Sequence, residues 1–144
     1  MLPNFNNNGD LPAGIHRTDW NAVEQRFGSE TEARSKAMAA LKHVHDLAAR
    51  TGCLRHFYVF GSFASRAAEP RDVDVVLIMS ADFRVEACAR ESRTLFSHAE
   101  AQARYGASVF WVREGMVAAA ALRDFLLAFQ TRRDGKLRGI LEVA

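Results

Sequence analysis

Asp72 and Asp74 stand one residue apart where Pro70-Arg71-Asp72-Val73-Asp74 runs into the apolar stretch Val75-Val76-Leu77-Ile78-Met79. Side chains alternate along a strand, so both carboxylates leave one face and Val73 and Val75 leave the other. Two acids on one face can share Mg²⁺, a hard cation that takes oxygen ligands. Upstream, with nine residues between Ser62 and Asp72, the pair Gly61-Ser62 closes the aromatic and β-branched run Phe57-Tyr58-Val59-Phe60. A glycine at that point lets backbone amides approach a ligand closely, and phosphate is the expected ligand. Ser62 adds a hydroxyl and an amide, and a helix starting there would turn its free N–H groups toward an anion. A carboxylate pair beside such a turn suits a metal-bound nucleoside triphosphate.

The elements that must position these groups follow from the pattern around them. The run before Gly61 reads as a strand, and five apolar residues after Asp74 read as a central buried strand. Thr18 or Asp19 caps a short helix through Phe27, which Gly28 ends. Ser29, Thr31 and Glu32 offer a second start, and Ala37, Leu41, Val44 and Ala48 recur at helical spacing up to Gly52. His43 and His45, two apart on that helix, point away from each other and make no metal pair. Beyond Ser80-Ala81-Asp82 one long helix is expected, with an apolar stripe of Cys88, Leu95, Ala99 and Ala103 and a solvated face of mixed charge, ended by Gly106. Val109-Phe110-Trp111-Val112 is a third strand, and Met116 to Phe129 a helix with Leu122, Phe125, Leu126 and Phe129 on one side. Asp134-Gly135 marks a tight reversal, after which Ile140-Leu141-Glu142-Val143 returns as an edge strand or packs on the sheet. Arg132, Arg133, Lys136 and Arg138 read as a solvated turn, the alternative being a contact with triphosphate or an acidic partner.

A length of 144 residues allows one domain with a real core. Residues 1–16 read as an irregular lead-in packed through Leu11 and Ile15, and 17–144 as the domain. Hydrophobic residues at 49% and charged residues at 25% fit a globular protein. A net charge of +2 does not imply nucleic-acid binding, which needs a concentrated basic face. Cys53 and Cys88 lack metal-ligand spacing and are expected to be reduced. The first ten residues have no basic segment and no apolar core, and no long apolar run follows, so the expected location is cytoplasmic, with no membrane partner.

The stretch from Phe57 to Met79 resembles the signature of the DNA polymerase β-like nucleotidyltransferase superfamily: a strand, Gly-Ser, about ten residues, then Asp-x-Asp on the next strand. The resemblance implies an α/β (α+β) fold, a small mixed β-sheet flanked by helices. Over residues 11 to 140 the chain also resembles a group of short bacterial proteins in this superfamily. That likeness is carried by Leu11-Pro12-Ala13-Gly14-Ile15-His16, Arg26-Phe27-Gly28, Phe129-Gln130-Thr131-Arg132, Asp134-Gly135 and Arg138-Gly139-Ile140. More loosely it is similar to minimal nucleotidyltransferases that act as antitoxins beside a helical toxin partner.

What the resemblance implies is transfer of a nucleoside monophosphate from a triphosphate, ATP being the expected one, to a protein or small-molecule hydroxyl. Gly61 and Ser62 would bind the β- and γ-phosphates, and Asp72 and Asp74 would hold Mg²⁺ as metal ligands and catalytic residues. A third acid is usual on the strand after the helix, and there this chain has Ser108. Glu114 lies about 20 Å further along at ~3.3 Å per residue. Ser108 therefore implies weakened transfer, and the alternative is a non-catalytic nucleotide-binding or antitoxin-like protein, with a toxin-like or homo-oligomeric partner.

Overall fold

The computed structural model describes residues 2–116 and 118–144. Five strands form one mixed sheet in the order β1-β5-β2-β3-β4: β1 (Ile15–Thr18), β2 (Leu54–Phe60), β3 (Val73–Met79), β4 (Ala107–Arg113) and β5 (Ile140–Val143). The helices α1 (Trp20–Phe27), α2 (Glu32–Ala49), α3 (Arg90–Arg93), α4 (His98–Tyr105) and α5 (Ala119–Phe129) complete an α/β fold, a small mixed sheet flanked by helices. Among the described residues no helix is long and apolar enough to cross a membrane.

Strand β3 is the axis. It pairs antiparallel with β2 and parallel with β4, and Val75 through Met79 are buried, because a central strand covered on both faces has no polar side to show. Val73, Val75, Leu77 and Met79 face the main core, with Val23 and Phe27 of α1 and Met38, Leu41, Val44 and Leu47 of α2. Val76 and Ile78 face a second, smaller cluster closed by Leu126 and Ile140, with Phe60, Leu122, Phe125 and Phe129 packed on it. The helix α5 alone covers that side, with the residues expected on its inner face.

The caps form as the sequence predicts: Asp19 accepts from Ala22 N and Gly28 ends α1, and Thr31 accepts from Arg34 N to start α2. The α5 helix begins at Ala119 rather than Met116, and Val117 lies outside the described residues.

Three expectations are corrected. The long helix after Asp82 is broken into a 3-10 turn at Val85–Ala87, α3, a second 3-10 turn at Thr94–Phe96, and α4. Thr94 Oγ1 donates to Glu91 O at 2.6 Å and Ser97 caps α4 afresh, so local hydroxyls compete with a continuous helix, while Ser92 Oγ ties α3 to α2 through Leu47 O at 2.8 Å. The expected stripe accordingly shifts: Leu95 and Ala101 are buried, while Ala99 and Ala103 are exposed. The third concerns the last strand, which is not an edge: β5 lies between β2 and β1, and the parallel partner β1 takes the edge. The segment 1–16 thus supplies the start of β1, with Leu11 fully buried and Ile15 40% exposed on the rim.

Candidate functional site

β2 ends at Phe60 and Gly61 follows, with a φ of 77° and ψ of −161° that lie in a region open essentially to glycine. The chain then makes a 3-10 turn over Ser62–Ala64, closed by Ala64 N to Gly61 O at 3.1 Å and Ser65 N to Ser62 O at 3.2 Å. A Cβ on Gly61 would overlap Asp74 Oδ2. The glycine is needed because a carboxylate occupies the space a side chain would fill.

The loop is held from behind by Arg34 of α2, which is 2% exposed. Its guanidinium donates to Phe27 O at 3.1 Å, Phe63 O at 2.9 Å, Ser65 O at 2.5 Å, and Ala67 O at 3.0 Å from Nε and 2.5 Å from Nη2. Burial lowers its pKa, with Glu30 opposing, and the carbonyl dipoles solvate the charge in place of water. Thr31 Oγ1 adds a bond to Ala68 O at 2.9 Å. The start of α2 therefore fixes the backbone from Phe63 to Ala68.

Asp74 projects from the β3 face opposite Val73 and Val75, which are buried in the main core, and Asp72 sits at the bend just before β3. In register, Asp74 sits between Phe60 of β2 and Ser108 of β4. Gln102 of α4 donates to Asp72 Oδ2 at 3.0 Å and accepts from Ser108 Oγ at 3.0 Å. Burial pushes the Asp74 carboxyl up to about 6; the Ser108 hydroxyl opposes this, the Asp72 charge adds to it, and the Arg138 guanidinium opposes it. A carboxylate disfavoured in this way is relieved by a cation placed between the two acids. Two carboxylate groups with a neutral hydroxyl and amide beside them fit Mg²⁺ in donor type. Among the described residues no cluster of three or more His, Cys, Asp or Glu is poised for a metal ion.

Of the basic tail, Arg133 and Lys136 are exposed as expected, whereas Arg132 and Arg138 are partly buried. Arg132 and Arg138 join Ser62, Ser65, Arg66 and Asp10 around an open cleft of about 390 Å³. The reversal at Asp134-Gly135 brings them there, with Arg132 N bonded to Lys136 O at 2.8 Å and Arg138 N to Gln130 O at 2.7 Å. Asp10, buried, takes Arg132 Nη1 at 2.6 Å and lies 3.9 Å from Arg138 Nη1. Three guanidinium groups against one carboxylate leave the cleft net positive beside the Gly-Ser turn, which suits a polyanion. A slightly larger cleft, about 420 Å³ between α3 and α4, carries Arg90, Arg93 and Arg104 interleaved with Glu91 and Glu100. It lies away from the glycine turn, whereas Ser62 of that turn lines the smaller cleft.

Gly61, Ser62, Asp72 and Asp74 are therefore brought together, and Ser108 stands directly across from Asp74. Glu114 lies at the opposite end of β4, where Arg55 Nε holds it at 3.2 Å. His45 packs edge-on against Trp20 and Phe57, each at 4.9 Å. Arg34 and Gln102 carry no local signal in the sequence; each acts on a segment thirty or more positions away.

This chain belongs to a family of unknown function (DUF6932), whose pattern matches residues 3–144. No curated protein matches it. No solved structure matches it.

Proposed function

We propose that this member of the family binds a nucleoside triphosphate, ATP for choice, with Mg²⁺ at Asp72 and Asp74, and transfers a nucleoside monophosphate to a protein or small-molecule hydroxyl at a rate limited by Ser108. One observation carries the reading: the glycine turn is pressed against the Asp74 carboxylate while a cleft of three arginines opens beside Ser62. Phosphate and metal ligands are thereby offered within one site.

Each group of the chain has a task in this reading. Ser62 and the arginines Arg66, Arg132 and Arg138 bind the β- and γ-phosphates and favour pyrophosphate as the leaving group. Asp72 and Asp74 hold the metal, which when bound neutralises phosphate charge. Gln102 orients Asp72, and Arg34 keeps the turn in shape. The acceptor hydroxyl attacks the α-phosphorus from the β4 side as the bond to pyrophosphate breaks; Ser108 and Gln102 form a neutral pair there, so with no third carboxylate opposite Asp74 the hydroxyl proton passes to solvent. That neutral pair supports tight binding with slow transfer. A cytoplasmic setting, where magnesium nucleotides abound, belongs to the same proposal.

Thermal denaturation tests it. Mg²⁺ and ATP together should stabilise the wild type by about 2.7 kcal/mol at a hundredfold excess over Kd, and either alone should do much less. An equal shift in Asp74→Asn would remove Asp74 from the site.

A further inference from the structure

The sheet face that carries Asp74 and Ser108 continues into a cluster of aromatic rings. Phe60 closes β2, Phe110 lies two positions beyond Ser108 on β4, and Phe129 ends α5. Their ring centroids are 4.7 Å apart for Phe60 and Phe129, 5.2 Å for Phe110 and Phe129, and 6.1 Å for Phe60 and Phe110. His98, at the start of α4, stands 5.4 Å from Phe110 in a tilted arrangement. Phe110 is the open member, 38% exposed, on β4, an edge strand of the sheet among the described residues. A ring left open beside charged groups, with rings behind it to keep it rigid, presents a flat apolar surface at low entropic cost.

Its position relative to the carboxylates narrows the occupant. Ser108 is level with Asp74, and Phe110 with Val76. The ring therefore sits two residues along the strand from the acids, about 7 Å at ~3.3 Å per residue. One sugar ring spans such a gap between a phosphate and a base. The arginine cleft takes the opposite side of Asp74, towards Gly61 and Ser62. A ligand with a polyanionic end and an aromatic end, joined by one sugar, matches both surfaces with the carboxylates between them.

We propose that Phe110, backed by Phe60 and Phe129 and flanked by His98, is the platform on which the base of the nucleotide stacks. The proposal rests on the reading of Asp72 and Asp74 as a triphosphate site and adds which end of the chain holds the base. Rings read the face of a base and not its hydrogen-bonding edge, so binding tolerates any base and favours purines for their larger face.

The test is calorimetric titration with Mg²⁺-ATP and with Mg²⁺-tripolyphosphate, which has the charge and no base, for wild type, Phe110→Leu and Phe110→Trp. Wild type should bind ATP more tightly than tripolyphosphate. Phe110→Leu should lose about tenfold in ATP affinity, the order of loss that follows removal of one stacking ring, and nothing for tripolyphosphate, which also reports that the variant is folded. Phe110→Trp should keep or exceed the wild-type affinity for ATP. The platform is overturned alone if wild type binds both ligands equally, or if Phe110→Leu weakens both alike or neither. Wild type that binds neither ligand overturns the triphosphate reading and the platform with it.

Discussion

Gly61 and Asp74 compete for one volume. At Gly61 φ is 77° and ψ −161°, and the Cβ that any other residue would carry there falls on Asp74 Oδ2, with Asp74 Cγ only 3.1 Å away. Gly61→Ala must therefore strain the backbone, by about 1–3 kcal/mol for such a conformation, and also drive the carboxylate away. We expect that variant to lose the stabilisation by Mg²⁺ and ATP as well as intrinsic stability. Gly52 also has a positive φ, of 73°, but nothing stands within 4 Å of its Cβ position. Gly52→Ala should lower the melting temperature yet keep the ligand response. Equal ligand shifts in both alanine variants would separate Gly61 from the site.

Arg34 gives a prediction about the loop rather than the chemistry. Replacing it with Met removes donors from the buried carbonyl contacts at Phe27, Phe63 and Ser65, and from Ala67, which lies at the surface. Each orphaned buried carbonyl costs about 1–3 kcal/mol, so urea denaturation should show a loss of more than ~3 kcal/mol or no folded protein. Arg34→Lys keeps the charge but not the planar fork and should recover only part of it. A Lys variant as stable as wild type would mean that charge alone holds the turn.

The raised pKa of Asp74 makes the stability of the metal-free protein depend on pH. Its carboxyl titrates near 3.8 when exposed and about 6 when folded. Below about pH 3 both states are protonated and there is no effect. As pH rises to 6 the folded state holds a proton that the unfolded state has given up, so stability falls, and above 6 the cost is complete. Asp74→Asn imitates the protonated form. In EDTA it should exceed wild type by about 1–2 kcal/mol at pH 8, after discounting for the partly exposed side chain, and by nothing below about pH 3. Added Mg²⁺ should cancel the advantage at pH 8. Parallel stability curves for the two proteins from pH 4 to 8 would contradict the burial of this charge.

What the sequence reveals of the site is its local part. Gly61-Ser62 and Asp72-x-Asp74 are legible because a turn and an alternating strand are fixed by near neighbours. The partners are not: Arg132 meets Asp10 across 122 positions and Gln102 meets Asp72 across 30, and no periodicity records such contacts. The basic tail looks solvated for the same reason, since its role depends on a hairpin packing beside the first residues of the chain. The fold divides similarly. α1, α2 and the strands β2, β3 and β4 follow from caps and apolar spacing, whereas the internal place of β5 follows from its parallel pairing with β1, which neither four-residue segment encodes. The break between α3 and α4 came from Thr94 and Ser97 bonding to backbone, a competition that an apolar stripe does not register.

The neutral residue opposite Asp74 supports a final prediction, on activity. Ser108 is the register partner of Asp74, and its hydroxyl donates to Gln102 rather than offering a charge. Ser108→Asp puts a third carboxylate against two others, one of them already raised to about 6. Without metal this variant should be less stable than wild type above pH 6, because like charges at close range repel. With Mg²⁺ the order should reverse, since three carboxylates hold a hard cation better than two. Pyrophosphate release in the presence of ATP should then rise, by about tenfold or more if a second metal site or a base for the acceptor hydroxyl is gained. Glu114→Gln serves as the comparison: Glu114 is paired with Arg55 at the far end of β4, and its loss should leave release unchanged. Robust release by the wild type that vanishes in Glu114→Gln would place the third carboxylate at Glu114 and refute the role given to Ser108.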